Sequence, residues 1–230
     1  PAEAKTHIEK YFGPIPAGPE VQPLSPADAD LEQEKRIVQE DKVQLPRLYM
    51  AFQTPAFFDA GDASLDILSS VLTGGKNSRL YKSLVYDKRI AKDVNAAQWS
   101  RVLESQYMIT ATATPGHTLA ELEETIWAEI EDIKENGVTE REVQKAKNSY
   151  EASFIYRLQR VGGFSGISDQ LQSYNFYQGD PGYFNKDLNR YGTVTPDDVQ
   201  AVAQQYLNPG QRVVLSVVPE GKLDLQASAE

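Results

Sequence analysis

Two histidines, His7 and His117, and no cysteine are all that this 230-residue chain offers as nitrogen and sulfur metal ligands. Zinc held by a helix needs two ligands three or four residues apart, so that both point the same way. Neither histidine has a His or Glu at that distance further along its own helix, so no local zinc pair is expected. Without cysteine, thiolate catalysis, disulfides and Cys-based metal sites are excluded. A serine nucleophile on a strand-to-helix elbow would read Gly-x-Ser-x-Gly; Gly163-Phe164-Ser165-Gly166 comes near it but follows a helix. A phosphate loop would read GxxxxGK[ST]; Lys76 follows Gly75, but Asn77 and Ser78 break the spacing. Paired acids stand at Glu123-Glu124, Glu140/Glu142 and Asp197-Asp198. All fall in first helical turns or on helix surfaces, where they serve the dipole and solubility. Spacing alone assigns no catalytic residue.

The stretch around which the elements are arranged is Gly74-Gly75-Lys76-Asn77-Ser78-Arg79-Leu80-Tyr81-Lys82-Ser83-Leu84. Leu65, Leu68, Val71 and Leu72 before it, and Leu80, Leu84, Tyr81 and Val85 after it, repeat at helical spacing. Two glycines supply positive φ without a Cβ penalty, and Asn77 and Ser78 are placed to cap the second helix, which should end near Lys88. The glycine pair also leaves main-chain N–H and C=O groups uncovered, so an extended peptide could approach.

The rest of the chain reads as alternating strands and helices. A helix tail (Ala4, Ile8, Tyr11, Phe12) runs into a Pro-rich linker over residues 13–30. Residues 36–43 and 47–54 are strand candidates, and 93–101 with 104–114 form a hairpin. Capping boxes open helices at Thr118/Glu121 and Thr139/Glu142, and Thr195-Pro196-Asp197-Asp198 opens another. Residues 167–176 and 183–191 are shorter helices, 212–218 is a last buried strand, and the tail from Glu220 should fray. Five strands and six helices, with strands adjacent in pairs, predict an α+β fold: one antiparallel sheet with helices on one face.

A composition 40% apolar and 24% charged is that of a globular protein long enough for a real core. The net charge of −10, with no run of Lys/Arg longer than a pair, argues against nucleic acid or an anionic membrane as partner. No apolar run is long enough to span a bilayer. A start at Pro1 implies processing or a cut, with any signal peptide lost upstream; soluble placement in periplasm or cytoplasm is expected.

In order along the chain, several motifs resemble the pitrilysin and mitochondrial processing peptidase family of zinc metallopeptidases. They are the Gly-rich turn into Ser78-Arg79-Leu80-Tyr81, the strand ending at Thr114-Pro115-Gly116, and the start Val138-Thr139-Glu140-Arg141-Glu142. Gly179-Asp180-Pro181 and Val194-Thr195-Pro196-Asp197-Asp198-Val199 complete the set. The leading Tyr11-Phe12-Gly13-Pro14-Ile15-Pro16 resembles the end of that family's first half. The resemblance implies the LuxS/processing-peptidase-like fold: residues 31–219 as the non-catalytic second half of a bacterial member, residues 1–30 as helix tail and linker, and 220–230 as tail. It implies no metal or catalytic residue in this segment, zinc and His-x-x-Glu-His in a partner half, and a chamber that holds peptide; a homodimer is also compatible. Relatives offer an Arg and, seven residues on, a Tyr near the catalytic centre; Val85 and Lys92 stand at those positions here. Gly74, Gly75, Asn77, Ser78, Arg79, Tyr81 and Lys92 are thus the expected peptide-binding residues. Two other readings stay open: a structural relative like a respiratory-complex core subunit, and an unrelated α+β binding module.

Overall fold

The computed structural model describes residues 1–22, Leu24 and residues 31–227; part of the linker and residues 228–230 of the tail lie outside the described residues. The elements run α1 (Ala2–Phe12), β1 (Lys35–Asp41), β2 (Arg47–Thr54), α2 (Asp62–Thr73), a π-helix (Tyr81–Asp87), β3 (Ala91–Trp99), β4 (Ser105–Ala113), α3 (Leu119–Asn136), α4 (Glu140–Arg157), α5 (Ile167–Gln178), α6 (Phe184–Gly192), α7 (Pro196–Tyr206) and β5 (Arg212–Pro219). Both predicted capping boxes form, at Thr118 and Thr139, and the predicted N-cap Thr195 also closes a box, with Asp198. Among the described residues, no helix is long and apolar enough to cross a membrane.

The five strands lie in the order β1-β5-β2-β4-β3. The expectation of a purely antiparallel sheet is corrected: the sheet is mixed. β1 and β2 are neighbours in sequence but do not pair; β5, last in the chain, enters between them. β5 runs antiparallel to β2 and therefore parallel to β1. A cluster of largely buried ion pairs ties the two strands to α3. Arg36 on β1 and Arg212 on β5 both reach Glu123 of α3, each at 2.7 Å, and both also bind Glu34. Two cations against two carboxylates leave no net charge in that low-dielectric pocket.

Side chains alternate across the sheet. Leu48, Met50 and Phe52 of β2, and Tyr107, Ile109 and Ala111 of β4, face the helices and are buried. The apolar stripe of α3 (Leu119, Leu122, Ile126, Ile130, Ile133) is fully buried in the same core. Each such side chain contributes about 1.5–3 kcal/mol on leaving water. α1 buries none of its residues. Beyond β5 the chain does not simply fray: it makes a 3₁₀ turn at Leu223–Leu225, and Ala227 is buried with its N–H on Ser216 Oγ at 3.1 Å.

Candidate functional site

α2 ends at Thr73, and the next residues turn sharply. Gly74 has no room for a side chain, since a Cβ would strike the Ser70 carbonyl. Gly75 takes φ +100°, which only glycine adopts without strain. The helical segment that follows is not the α-helix expected. It passes into a π-turn over Tyr81–Asp87 with no side-chain cap, so the capping role expected of Asn77 and Ser78 is not realised. Ser78 instead turns inward and donates to the Gly75 carbonyl.

The seven expected residues divide into two groups. Gly74, Gly75, Asn77 and Lys92 are exposed, whereas Ser78 is buried and Arg79 and Tyr81 are half-buried. Arg79 grips the α3–α4 corner. It bonds Glu142 through two nitrogens (2.7 and 3.0 Å), Asp132 at 2.8 Å and the Gly137 carbonyl at 3.1 Å. The pairing with Arg79 and the cap at Thr139 hold the Glu142 carboxyl down to about 2 against the cost of burial. Tyr81 packs on the core, as does Val85. Lys92 sits where the β3–β4 register slips, a bulge that aims an exposed side chain away from the ladder.

β3 is an edge strand, paired only with β4. Its outer edge is partly covered: the Thr73 hydroxyl accepts from the Ala96 N–H at 3.0 Å and lies 3.3 Å from the Ala96 carbonyl. Alternation turns the Val94 N–H and C=O the same way, and no further backbone partner for them is found among the described residues. Beside this edge runs a cleft of about 320 Å³ lined by Ser70, Thr73, Gly74, Asn95, Ser149 and Tyr150 among others. A second cleft, about 230 Å³, lies on the other side of the turn between Asn77, Arg141 and Lys145. The glycine turn stands between the two, and Lys145 Nζ fixes it by donating to the Gly74 carbonyl at 3.0 Å.

A buried polar cluster that sequence reading passed over lies behind the first cleft. Asp62 accepts from Phe58 N, Gln98 Nε2, Ser100 Oγ and Arg190 Nη2. Arg190 also binds Asp187 at 2.9 Å. One turn along α2, Asp66 accepts from Tyr191 Oη at 2.7 Å, and Tyr150 Oη donates to the Asp66 main-chain carbonyl. Burial, with Asp62 close by, pushes the Asp66 carboxyl up to about 7. The available signal was two aspartates four apart on a helix otherwise apolar enough to be buried.

The donor set does not fit zinc. Among the described residues no group of three or more His, Cys, Asp or Glu is placed to hold a metal. Each histidine is engaged locally: His7 lies 4.0 Å from Glu3, and His117 lies 3.3 Å from Glu121. The second contact corrects the reading that His117 has no acid in reach, since Glu121 stands four residues on, across the helix start. The buried aspartates are taken up by Arg190 and tyrosine hydroxyls.

The family profile described as Peptidase M16 inactive domain matches residues 1–150. This chain belongs to the peptidase M16 inactive-domain family. A curated relative, the zinc protease PqqE of Helicobacter pylori, is 27% identical over 183 residues, which cover 80% of this chain and 40% of PqqE. A solved protease from Helicobacter pylori superposes with a TM-score of 0.83 at 23% identity, over 95% of this chain and 52% of that one. The M16 inactive domain from Pseudomonas fluorescens gives 0.78 at 20% identity, over all of this chain and 52% of that one. This M16 chain thus spans two fifths of the curated PqqE and about half of each of these two solved chains. The two structures support the fold.

Proposed function

We propose that this M16 inactive domain is the non-catalytic half of a bacterial zinc metallopeptidase. It forms one wall of a chamber and holds peptide opposite a zinc-bearing half. The observation that carries the reading is the free stretch of edge strand β3 beside the exposed Gly74–Asn77 turn. An edge strand with open main-chain groups takes an extended peptide as an added strand, with side chains on alternate sides. Gly74, Gly75, Asn77 and Lys92 would touch that peptide, while Ser78, Arg79 and Tyr81 hold the turn in place. Lys92 would donate to a peptide carbonyl. Zinc and the groups that activate water would come from the other half.

The test is peptide hydrolysis by the assembly of this chain with its zinc-bearing half. Asn77→Ala and Lys92→Ala should each raise KM about 2–10-fold, the worth of one hydrogen bond, with the melting temperature unchanged. Wild-type KM and kcat in both variants would overturn the assignment.

A further inference from the structure

From Lys76 to Lys92 the chain carries six cations (Lys76, Arg79, Lys82, Lys88, Arg89, Lys92) against one acid, Asp87. That segment is +5 inside a chain of net charge −10. It folds as one continuous strip: the glycine turn, the π-helix and the entry to edge strand β3. Two of the cations are committed: Arg79 to Glu142 and Asp132, and Lys88 to Thr125 Oγ1 at 2.9 Å. Lys76, Lys82, Arg89 and Lys92 are exposed and form no ion pair among the described residues. Arg141 and Lys145 of α4 are also exposed, form no ion pair among the described residues (Lys145 donates to the Gly74 carbonyl), and line the second cleft. Most neighbouring acids are already occupied. Glu142 and Asp132 bind Arg79, Asp93 accepts from Thr112 Oγ1 at 3.2 Å, and Glu121 serves the Thr118 cap. Asp87, Glu140 and Glu129, the last near enough to act on Arg79, are left, three acids beside six exposed cations.

Exposed like charges with no partner repel one another, and that repulsion is relieved when a ligand brings anions. Tyr86, 70% exposed and one turn from Lys82, adds an apolar ring to the same face. We propose that this strip receives an acidic stretch of peptide, its Asp and Glu carboxylates paired with Lys82, Arg89 and Lys92. This rests on the reading that the turn and β3 face peptide, and it adds the sequence class of that peptide. A nucleic acid fits less well, because the excess negative charge of the whole chain repels a polyphosphate outside a strip this short.

The test uses the full chain and three fluorescein-labelled ten-residue peptides with alternating valine, the other positions being Glu, Gln or Lys. Fluorescence anisotropy is read at 30 mM and 300 mM NaCl, with oligo-dT of equal length as a fourth probe. The Glu peptide should bind at least tenfold more tightly than the Gln peptide, and weaken as salt rises. The variant Lys82→Gln/Arg89→Gln, which leaves Lys92 and its main-chain contact in place, should lose about tenfold for the Glu peptide and little for the Gln peptide, with an unchanged circular dichroism spectrum. The wild-type salt dependence keeps the test decisive if that variant does not fold. Equal binding of the Glu and Gln peptides would overturn the acidic preference while leaving the peptide-binding reading intact. Binding of none of the three would overturn both. Tighter binding of oligo-dT than of the Glu peptide would show a general polyanion surface and overturn the proposal.

Discussion

Asp66 on α2 lies between Tyr191 of α6, Tyr150 of α4 and Tyr107 of β4, with Asp62, Asp187 and Arg190 beyond. Burial is the main cause of the raised Asp66 carboxyl, Asp62 adds to it, and the nearby guanidinium of Arg190 is already shared by Asp62 and Asp187. With its carboxyl near 7 in the fold and near the ordinary value of about 4 in the unfolded chain, the protonated form favours folding. The stability that this group contributes is full below about pH 4 and is lost as pH rises to about 7. Subtracting the curve for Asp66→Asn from that of wild type, by urea unfolding at steps between pH 4.5 and 8, should leave a term that falls with pH. A flat difference would place the titration elsewhere. Arg79 has the opposite character. Removing it strips Glu142 and Asp132 of their partner, so Arg79→Ala should cost about 2 kcal/mol in the same assay. Lys92→Ala, at an exposed side chain with no hydrogen bond or ion pair among the described residues, should stay within about 0.5 kcal/mol. Equal losses for the two would contradict the division of the turn into holders and exposed contacts. The sequence placed both residues near the turn but not their roles. An arginine that closes a corner through residues 53 and 63 positions away looks, from its neighbours alone, like any exposed cation.

α3 was legible because two local signals agreed there, a capping box at Thr118 and an apolar stripe at helical spacing. The stripe reaches the core as expected, with Ile126 fully buried. Ile126→Asp should abolish cooperative thermal unfolding, since it buries an unpaired charge. Ile126→Val should cost only about 1 kcal/mol. A cooperative transition for the Asp variant at the wild-type temperature would show that the stripe is not core. Sheet order was less legible. Strand periodicity shows which face a residue takes but not which strand lies alongside. Insertion of β5 between β1 and β2 is marked by Arg36, Arg212 and Glu123, which come together only after folding. The π-turn at Tyr81–Asp87 has the apolar spacing of an α-helix, so the distinction was invisible to pattern.

At the scale of the whole molecule, the described residues of the M16 inactive domain bring no three metal-ligating side chains together. Its histidines sit on separate elements, each beside a glutamate one turn away, and its buried acids are already partnered. Chelator-washed protein should therefore hold no stoichiometric zinc by metal analysis; about one tight zinc per chain would overturn that reading. The central claim concerns the edge of the sheet. Amide hydrogen exchange, read by mass spectrometry on the assembly with a metal-stripped zinc-bearing half, tests it directly, with and without a saturating uncleaved peptide. The account predicts new protection in β3 around Val94 and in the turn at Gly75–Asn77, with the opposite edge at β1 unchanged. Saturated peptide binding that leaves the amides of β3 and the turn exchanging as in the free assembly would contradict it.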